Sequence, residues 1–264
     1  MSYQRIACLS TEAVETLYAL GAEDCIAGIS GFTVYPPRAR QEKPKISGFT
    51  SGKLERILEV KPDLVIAFSD LQAEMARDLI REGIEVHVFN HRDIAGILRM
   101  VGNLGALVGK AAEAEILVQG LSAHLADARA AAASLPRAPK VYFEEWHDPM
   151  ISGIGWVSEL IGIAGGSDVF TDRARAQGAK QRVVSAEEVI ERAPEIIIGS
   201  WCGKKFVPDH VRARPGWESV PAVRDNELHE IKSADILAPG AIAITHGLTQ
   251  LTQLFEDWAA RQPA

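Results

Sequence analysis

The sequence predicts an α/β protein with two Rossmann-like lobes, each built on a central parallel sheet, joined by one long α-helix. Three observations predict it. Short apolar runs alternate with helical patterns in the first third of the chain, an alanine-rich stretch without strand signals follows, and the alternation then begins again. Such alternation is typical of parallel β-α-β units. We expect an N-terminal lobe over 1–92, a linking helical segment over 93–136 and a C-terminal lobe over 137–264.

The N-terminal lobe is predicted from short elements with clear ends. Apolar runs of strand length occupy 5–10, 24–30, 63–68 and 84–89. The intervening helical patterns end at residues that stop helices, namely Gly21, Pro62 and Gly83. Four parallel strands with three helices follow from this order.

The linking segment is helical because residues 93–135 hold much alanine and no strand pattern. Its second part, 110–135, would extend ~37 Å as one helix at about 1.5 Å per residue. Pro136 and Pro139 end it, since proline removes a backbone donor and clashes with the preceding turn. One face is too apolar for a free linker, so we expect the helix to lie along the protein.

An internal repeat relates the two lobes. The stretch LERILEVKPDLVIAFS at 54–69 aligns with AEEVIERAPEIIIGSW at 186–201, and Pro62 and Pro194 stand 132 positions apart. Two lobes of the same plan explain the repeat most simply. The alternative is that both stretches follow a general helix–proline–strand pattern without further likeness.

Composition excludes several classes of protein. The net charge of −7 disfavours nucleic-acid binding, which uses a basic face. Three cysteines without a C-x-x-C pair make neither a disulfide framework nor a structural zinc knuckle. No apolar run reaches the ~18 residues of a membrane span. The chain enters a strand at once without an export signal, so we expect a cytoplasmic protein or a form from which a signal was removed.

Candidate binding residues follow the strands, because ligands of parallel sheets bind beyond the carboxyl ends of the strands. Aromatic side chains are frequent there and basic ones are rare, which favours a cleft for a large, flat, partly apolar molecule. The alternative is that these rings belong to the core. The candidates are Phe32, Tyr35, Phe68, Trp146, His147, Trp201 and Asp235.

The stretch FEEWHDPMISGIGW at 143–156 concentrates polar and aromatic groups. Adjacent residues of a strand point to opposite faces, so its two glutamates, His147 and Asp148 do not all face one metal ion. Partners for a metal would come from His91 or His246. An acid–base pair of Glu145 and His147 stays open, although no nucleophile elbow or phosphate loop accompanies it. Asp148 before Pro149 favours a chain reversal. Trp146 and His147, at the end of the strand just before this reversal, would then face a ligand.

Cys202 is a further candidate metal ligand or reactive thiol. It follows a strand and precedes Lys204 and Lys205, whose charges would lower the pKa of the thiol. An inert cysteine is the alternative.

The motifs RIACLS, GIS…YPP, KPDLVIA, GIEVHVF and ERAPEIIIGS, in this order, resemble the vitamin B12-binding protein family of ABC importers. That family belongs to the helical-backbone class of periplasmic solute-binding proteins, whose receptors for metals and chelates also take up haem and iron–siderophores. The resemblance covers nearly the whole chain and implies two lobes, one long helix and a corrinoid held between the lobes.

The resemblance also implies roles for particular residues. Tyr35 matches a tyrosine before paired prolines, and Phe68 an aromatic after the strand. Trp146 and Trp201 fall at aromatic positions, and Asp235 matches an acidic residue that accepts hydrogen bonds from corrin amides. Glu74 matches the glutamate by which one lobe docks on the permease. Lys204 and Lys205 stand near the place of the second docking glutamate, so the family pattern is broken there.

We therefore expect a monomeric binding protein without catalytic residues or a catalytic cofactor. Its ligand would be cobalamin or a related corrinoid, and its role ABC-type uptake, with an export signal removed, or carriage inside the cell. One alternative is a binder of another metal chelate, haem or a ferric siderophore. The other is a metal-dependent enzyme or metallochaperone using Glu145, His147, Cys202 and His246.

Overall fold

The computed structural model describes residues 2–49 and 51–262, and these form two compact units. Unit 1 comprises Met1–His91, Ala95–Ser122 and Pro239–Ile242. Unit 2 comprises Arg92–Ile94, Ala123–Ala238 and Ala243–Ala264. The predicted linking segment thus does not stand alone, because residues 95–122 contact the rest of unit 1 and the following ones contact unit 2.

Short strands and helices alternate along the described chain. The strands are β1 Ile6–Cys8, β2 Ile26–Ser30, β3 Lys45–Ser47, β4 Leu64–Phe68, β5 Val86–Phe89, β6 Lys140–His147, β7 Met150–Ser152, β8 Ser167–Asp168, β9 Ile196–Gly199 and β10 Leu228–Glu230. The helices are α1 Thr11–Ala19, α2 Ala39–Glu42, α3 Leu54–Glu59, α4 Ala73–Arg81, α5 Ile94–Leu107, α6 Ala111–Ala132, α7 Gly155–Ile163, α8 Thr171–Ala174, α9 Ala186–Arg192, α10 Pro208–Arg212, α11 Pro221–Arg224, α12 Ser233–Ile236 and α13 Leu248–Ala260. A π-helical turn, Ala243–Gly247, precedes α13.

Each unit has a sheet with the first strand of that unit near its centre. In unit 1 the order is β3-β2-β1-β4-β5, and all four pairings are parallel. In unit 2 the order is β10-β9-β6-β7, with β8 also paired to β6. There β6 and β7 pair antiparallel, through the reversal at Asp148 and Pro149, whereas β9 pairs parallel with both β6 and β10, and β8 pairs parallel with β6. The predicted α/β class with central parallel sheets is confirmed.

Three strands were not predicted, namely β3, β7 and β8. They are three, three and two residues long, too short for a repeating pattern of apolar residues to identify them. The predicted chain reversal after His147 is nevertheless present, because β7 turns back along β6.

The predicted long helix is α6, which has 22 residues and ends before Pro136. Its residues through Ser122 belong to unit 1 and those from Ala123 to unit 2. Among the described residues, no helix has the length and apolar character needed to cross a membrane.

The internal repeat extends to backbone geometry. Helices α3 and α9 each end one or two residues before a left-handed residue, Lys61 and Ala193, and both have a φ of 47°. Each is followed by proline and then by an acidic residue. The carboxylate of that residue accepts a hydrogen bond from a backbone N–H at or next to the start of the first strand of its unit: Asp63 from Arg5, just before β1, at 2.9 Å, and Glu195 from Lys140, the first residue of β6, at 3.0 Å. The two units therefore share a motif of contacts as well as an order of elements.

Candidate functional site

A buried carboxylate organises the carboxyl end of the sheet in unit 2. Glu144 is fully buried within β6, opposite Gly199 at the carboxyl end of β9. It accepts hydrogen bonds from the Tyr142 hydroxyl at 3.0 Å, from Trp201 Nε1 at 2.9 Å and from both terminal nitrogens of Arg214 at 2.6 and 2.9 Å. A buried charge needs such partners to remain ionised. The pKa of Tyr142 is raised well above its usual range, first by burial and then by the Glu144 charge.

Trp201, which is held by Glu144, stacks on His147. Its ring is 3% exposed and belongs to the core of unit 2, where Phe206 meets it edge-on at 5.1 Å. The ring of His147 stacks on it with centroids 4.4 Å apart and planes 29° apart. The sequence predicts that Trp201 presents its ring to a ligand, whereas in the structure this ring is buried and supports the half-buried His147.

Trp146 stands beside His147 at the end of the hairpin. The two ring centroids are 5.0 Å apart. Trp146 Nε1 donates to the Asp148 carbonyl at 2.8 Å, which fixes the indole across the turn. The Lys204 ammonium lies 4.6 Å from the centre of the indole ring, a cation–π contact. Trp146, His147 and Trp201 thus form one aromatic ladder with one half-buried end.

The ladder contains a neutral imidazole. Burial and then the nearby charge of Lys204 lower the pKa of His147 below its ordinary value. An imidazole with a lowered pKa keeps a free nitrogen lone pair at neutral pH.

Glu145, the second glutamate of β6, is also paired with an arginine. Glu145 forms an ion pair with Arg182, which is 2% exposed, and Arg182 also donates to the Ser152 carbonyl. Glu144 and Glu145 therefore face different partners, as the alternation along a strand requires. In the part of the chain that the structure describes, no three His, Cys, Asp or Glu side chains are grouped to hold a metal ion.

The expectation that lysines lower the pKa of Cys202 is wrong. Although the residue is exposed at the surface, partial loss of hydration around the thiol and then the Glu145 charge raise the pKa of Cys202 above its ordinary value. The Lys204 ammonium lies over the Trp146 ring. Cys202 is thus a thiol rather than a thiolate at neutral pH.

In unit 1, Gln72 joins the carboxyl ends of two strands. This buried amide accepts a hydrogen bond from Phe68 N at 2.9 Å and donates to the carbonyls of Leu9 at 3.1 Å and Phe49 at 2.7 Å. Phe68 itself is buried and meets the His91 ring edge-on at 5.5 Å. Phe49, a third of its area exposed, was not among the predicted candidates.

The loop after β2 places the remaining unit 1 candidates. Phe32 is 59% exposed, and its backbone N–H donates to the Ser30 hydroxyl at 3.3 Å. Tyr35 is half-buried and precedes the two prolines.

The other predicted residues lie outside the ladder. His91 Nε2 donates to the Pro239 carbonyl at 3.0 Å, within unit 1. In unit 2, Asp235 on α12 accepts from Gln250 Nε2 at 3.1 Å, and His246 lies exposed in the π-helical turn. Glu74 is exposed in the first turn of α4.

Sequence reasoning missed the residues that hold the site in shape. Glu144 was considered only as a possible metal ligand, and Arg214 and Gln72 were not singled out. A carboxylate inside the buried run KVYFEE signals that a cation must approach it. Nothing in the sequence says that the cation is 70 positions away.

Comparisons with known proteins agree with this architecture. The model of a family described as periplasmic binding protein matches residues 6–234. A vitamin B12-binding protein of Vibrio campbellii is 26% identical over 266 residues, covering 96% of this chain and 90% of that protein.

Two solved structures show the same fold. A periplasmic haem-binding protein of Roseiflexus sp. RS-1 in apo form has a TM-score of 0.83 at 22% identity, covering 98% of this chain and 100% of the other. A periplasmic vitamin B12-binding protein of Vibrio cholerae has a TM-score of 0.78 at 22% identity, covering 98% and 99%.

Proposed function

The chain belongs to the periplasmic binding protein family, whose members bind substrates and are not enzymes, and from this premise we propose that its ligand is cobalamin or a related corrinoid. The observation that carries the proposal is the aromatic ladder of Trp146, His147 and Trp201, fixed by Glu144. The likeness to the Vibrio campbellii protein supports the same ligand.

The chemistry of the ladder suits a corrinoid. A corrin is a broad ring system with an apolar face and amide groups at its rim. The half-buried rings of Trp146 and His147 supply flat contact area, and the buried Trp201 supports them. Glu144 and Glu145 are paired with Arg214 and Arg182, so neither of these two carboxylates presents an unpaired charge to an apolar face.

Further contacts are proposed from the other candidates. Phe32 and Tyr35 offer aromatic surface on the loop after β2, and Phe68 backs the carboxyl end of β4. The Asp235 carboxylate is a hydrogen-bond acceptor suited to corrin amides.

Equilibrium dialysis against cyanocobalamin, dicyanocobinamide, haemin and a ferric hydroxamate siderophore tests the proposal. We expect both corrinoids to bind and to raise the melting temperature with concentration, as any ligand of the native state does. Binding of haemin or the siderophore with no binding of either corrinoid would overturn the proposal and assign another metal chelate.

We also propose that Glu74 contacts an ABC permease. It is an exposed acidic residue in the first turn of α4, where it matches the docking glutamate of the family. Replacement Glu74→Lys should leave corrinoid binding unchanged and abolish uptake of labelled corrinoid by cells that express the cognate importer. Glu82→Lys, an exposed glutamate at the other end of the same helix, is the matched control. Equal uptake with both variants would remove Glu74 from the interface.

A further inference from the structure

His147 presents an unpaired nitrogen in a fixed position. Its Nδ1 is buried and has no hydrogen-bond partner. Its Nε2 has no partner either among residues 2–49 and 51–262, and it is not among the enclosed atoms, so solvent reaches it. Most buried polar atoms in native proteins are paired, so an unpaired histidine in a binding region calls for a physical reason.

The plane of the ring is set from two sides. Trp201 stacks on it at 4.4 Å, and Trp201 is held by Glu144 through its indole nitrogen. Trp146 flanks it at 5.0 Å, and the hairpin pairs His147 with Met150. A nitrogen held in this way approaches a ligand at one angle without ordering a side chain on binding.

The other histidines near ladder groups or in the sheet of unit 2 differ. His210 also lies parallel to Trp201, at 6.2 Å, but it is exposed on α10. His229 is hydrogen-bonded to Glu227 at 2.8 Å. His147 therefore combines a fixed plane, an unpaired solvent-reachable nitrogen and a pKa that burial, and then the Lys204 charge, lower below its ordinary value.

We propose that His147 is an axial ligand of the cobalt in the bound corrinoid, through Nε2. This inference rests on the proposed function, since it assumes a corrinoid at the ladder. The step is a ligand exchange: the cobalt–oxygen bond to a coordinated water breaks, the Nε2 lone pair forms a cobalt–nitrogen bond, and the water leaves. No electron or proton is transferred, because the imidazole is neutral and Nδ1 carries its hydrogen throughout.

The environment of Nδ1 fits a cargo rather than a permanent metal. Histidines of lasting metal sites donate Nδ1–H to a carboxylate or carbonyl, which makes the ligating nitrogen more basic. His147 lacks such an acceptor among the described residues. Its bond to cobalt is therefore expected to be weak and reversible, as a carrier that releases its ligand requires.

Visible spectroscopy with diaquacobinamide, which has exchangeable water on both faces, gives the first test. The wild type should shift the corrinoid bands towards those of an imidazole complex. Dicyanocobinamide, whose axial positions are closed, should bind without a shift. The variant His147→Phe keeps a flat ring on Trp201 and removes the nitrogen, so it should lose the shift and bind diaquacobinamide about tenfold more weakly. His210→Phe is the matched control and should behave as the wild type.

Electron paramagnetic resonance identifies the ligand directly. In the complex reduced to cobalt(II), one axial ¹⁴N splits each cobalt line into a triplet, and protein labelled with ¹⁵N-histidine should give doublets. This measurement uses the wild type, so it stands even where His147→Phe does not fold.

The outcomes separate the two proposals. Binding of diaquacobinamide without a shift, or triplets that persist with ¹⁵N-histidine, overturns ligation by His147 and leaves a corrinoid carrier. Absence of any corrinoid binding overturns the proposed function itself.

Discussion

The indole nitrogen of Trp201 donates to the carboxylate of Glu144 at 2.9 Å across 57 positions of sequence. The same carboxylate holds the guanidinium of Arg214 by two hydrogen bonds. The ring that supports His147 is therefore fixed by an ion pair in the interior of unit 2, so changes to the ion pair should affect both stability and the ligand.

Glu144→Gln keeps the shape of the side chain and removes its charge. Arg214, whose side chain is 15% exposed, is then left as a largely buried cation without its counter-charge. Loss of one partner of a buried pair costs about 3–5 kcal/mol, and we expect the free energy of unfolding in urea to fall by about 3 kcal/mol.

The double variant Glu144→Gln/Arg214→Met closes a thermodynamic cycle. It should be more stable than Glu144→Gln alone, because the unpaired cation is gone. If the loss of unfolding free energy in the double variant equals the sum of the losses in Glu144→Gln and Arg214→Met, the two side chains are not coupled in solution.

Stability should depend on pH through two buried carboxyls on α1. Burial raises the pKa of Glu12 from 4.5 to about 7 and that of Glu15 from 4.5 to about 8. Because the folded state binds these protons more tightly, both groups favour folding less as the pH rises from 4.5 to about 8. Glu15→Gln keeps Oε1, which accepts from Ile242 N at 3.1 Å, and removes the titration.

We expect Glu15→Gln to stabilise the protein by about 1–3 kcal/mol at pH 8.5 and to have little effect near pH 5, measured by urea denaturation at each pH. Glu59→Gln, on the exposed face of α3, is the control and should change stability by less than about 0.5 kcal/mol at either pH. The same effect of Glu15→Gln at both values would contradict a raised pKa.

Trp146→Ala tests the half-buried end of the ladder. Loss of the indole removes contact area and the cation–π partner of Lys204. The dissociation constant for cyanocobalamin should rise by about tenfold or more, since tryptophans are the commonest binding hot spots. The control is Ile116→Ala, a 70% exposed apolar residue on α6. Comparable dissociation constants for both variants would exclude the ladder from the binding surface.

Ala193, which precedes Pro194 in a left-handed conformation, is a position where glycine should stabilise the protein. Ala193 has a φ of 47°, where a Cβ atom is strained and glycine is not. We expect Ala193→Gly to raise the free energy of unfolding by about 0.5 kcal/mol, as relief of strain exceeds the added chain entropy. Ala126→Gly, exposed within α6, should instead lower it by about 1 kcal/mol. Destabilisation by both variants would show that Ala193 carries no strain.

Much of the fold was predictable because its signals are local. The similarity between α3–β4 and α9–β9 can be recognised from residues that lie a few positions apart in the sequence. Helix α6 is predicted by its alanine content and by the prolines that follow it. The strands β3, β7 and β8 were missed since two or three residues carry no periodicity. Trp146, His147 and Trp201 could be singled out from the sequence as candidates, whereas the hydrogen bonds by which Glu144 and Arg214 hold Trp201 could not.

The sequence alone determined the order of elements, the parallel sheets and the aromatic residues at the ends of strands, because each depends on neighbours within about one helix or strand of chain. Only the tertiary structure decided that Arg214 pairs with Glu144 across 70 positions and that Ile242 bonds to Glu15 across 227. The physical reason is that partners for a buried charge or carboxyl are chosen by proximity in space, after the chain has folded, and no local pattern records the choice.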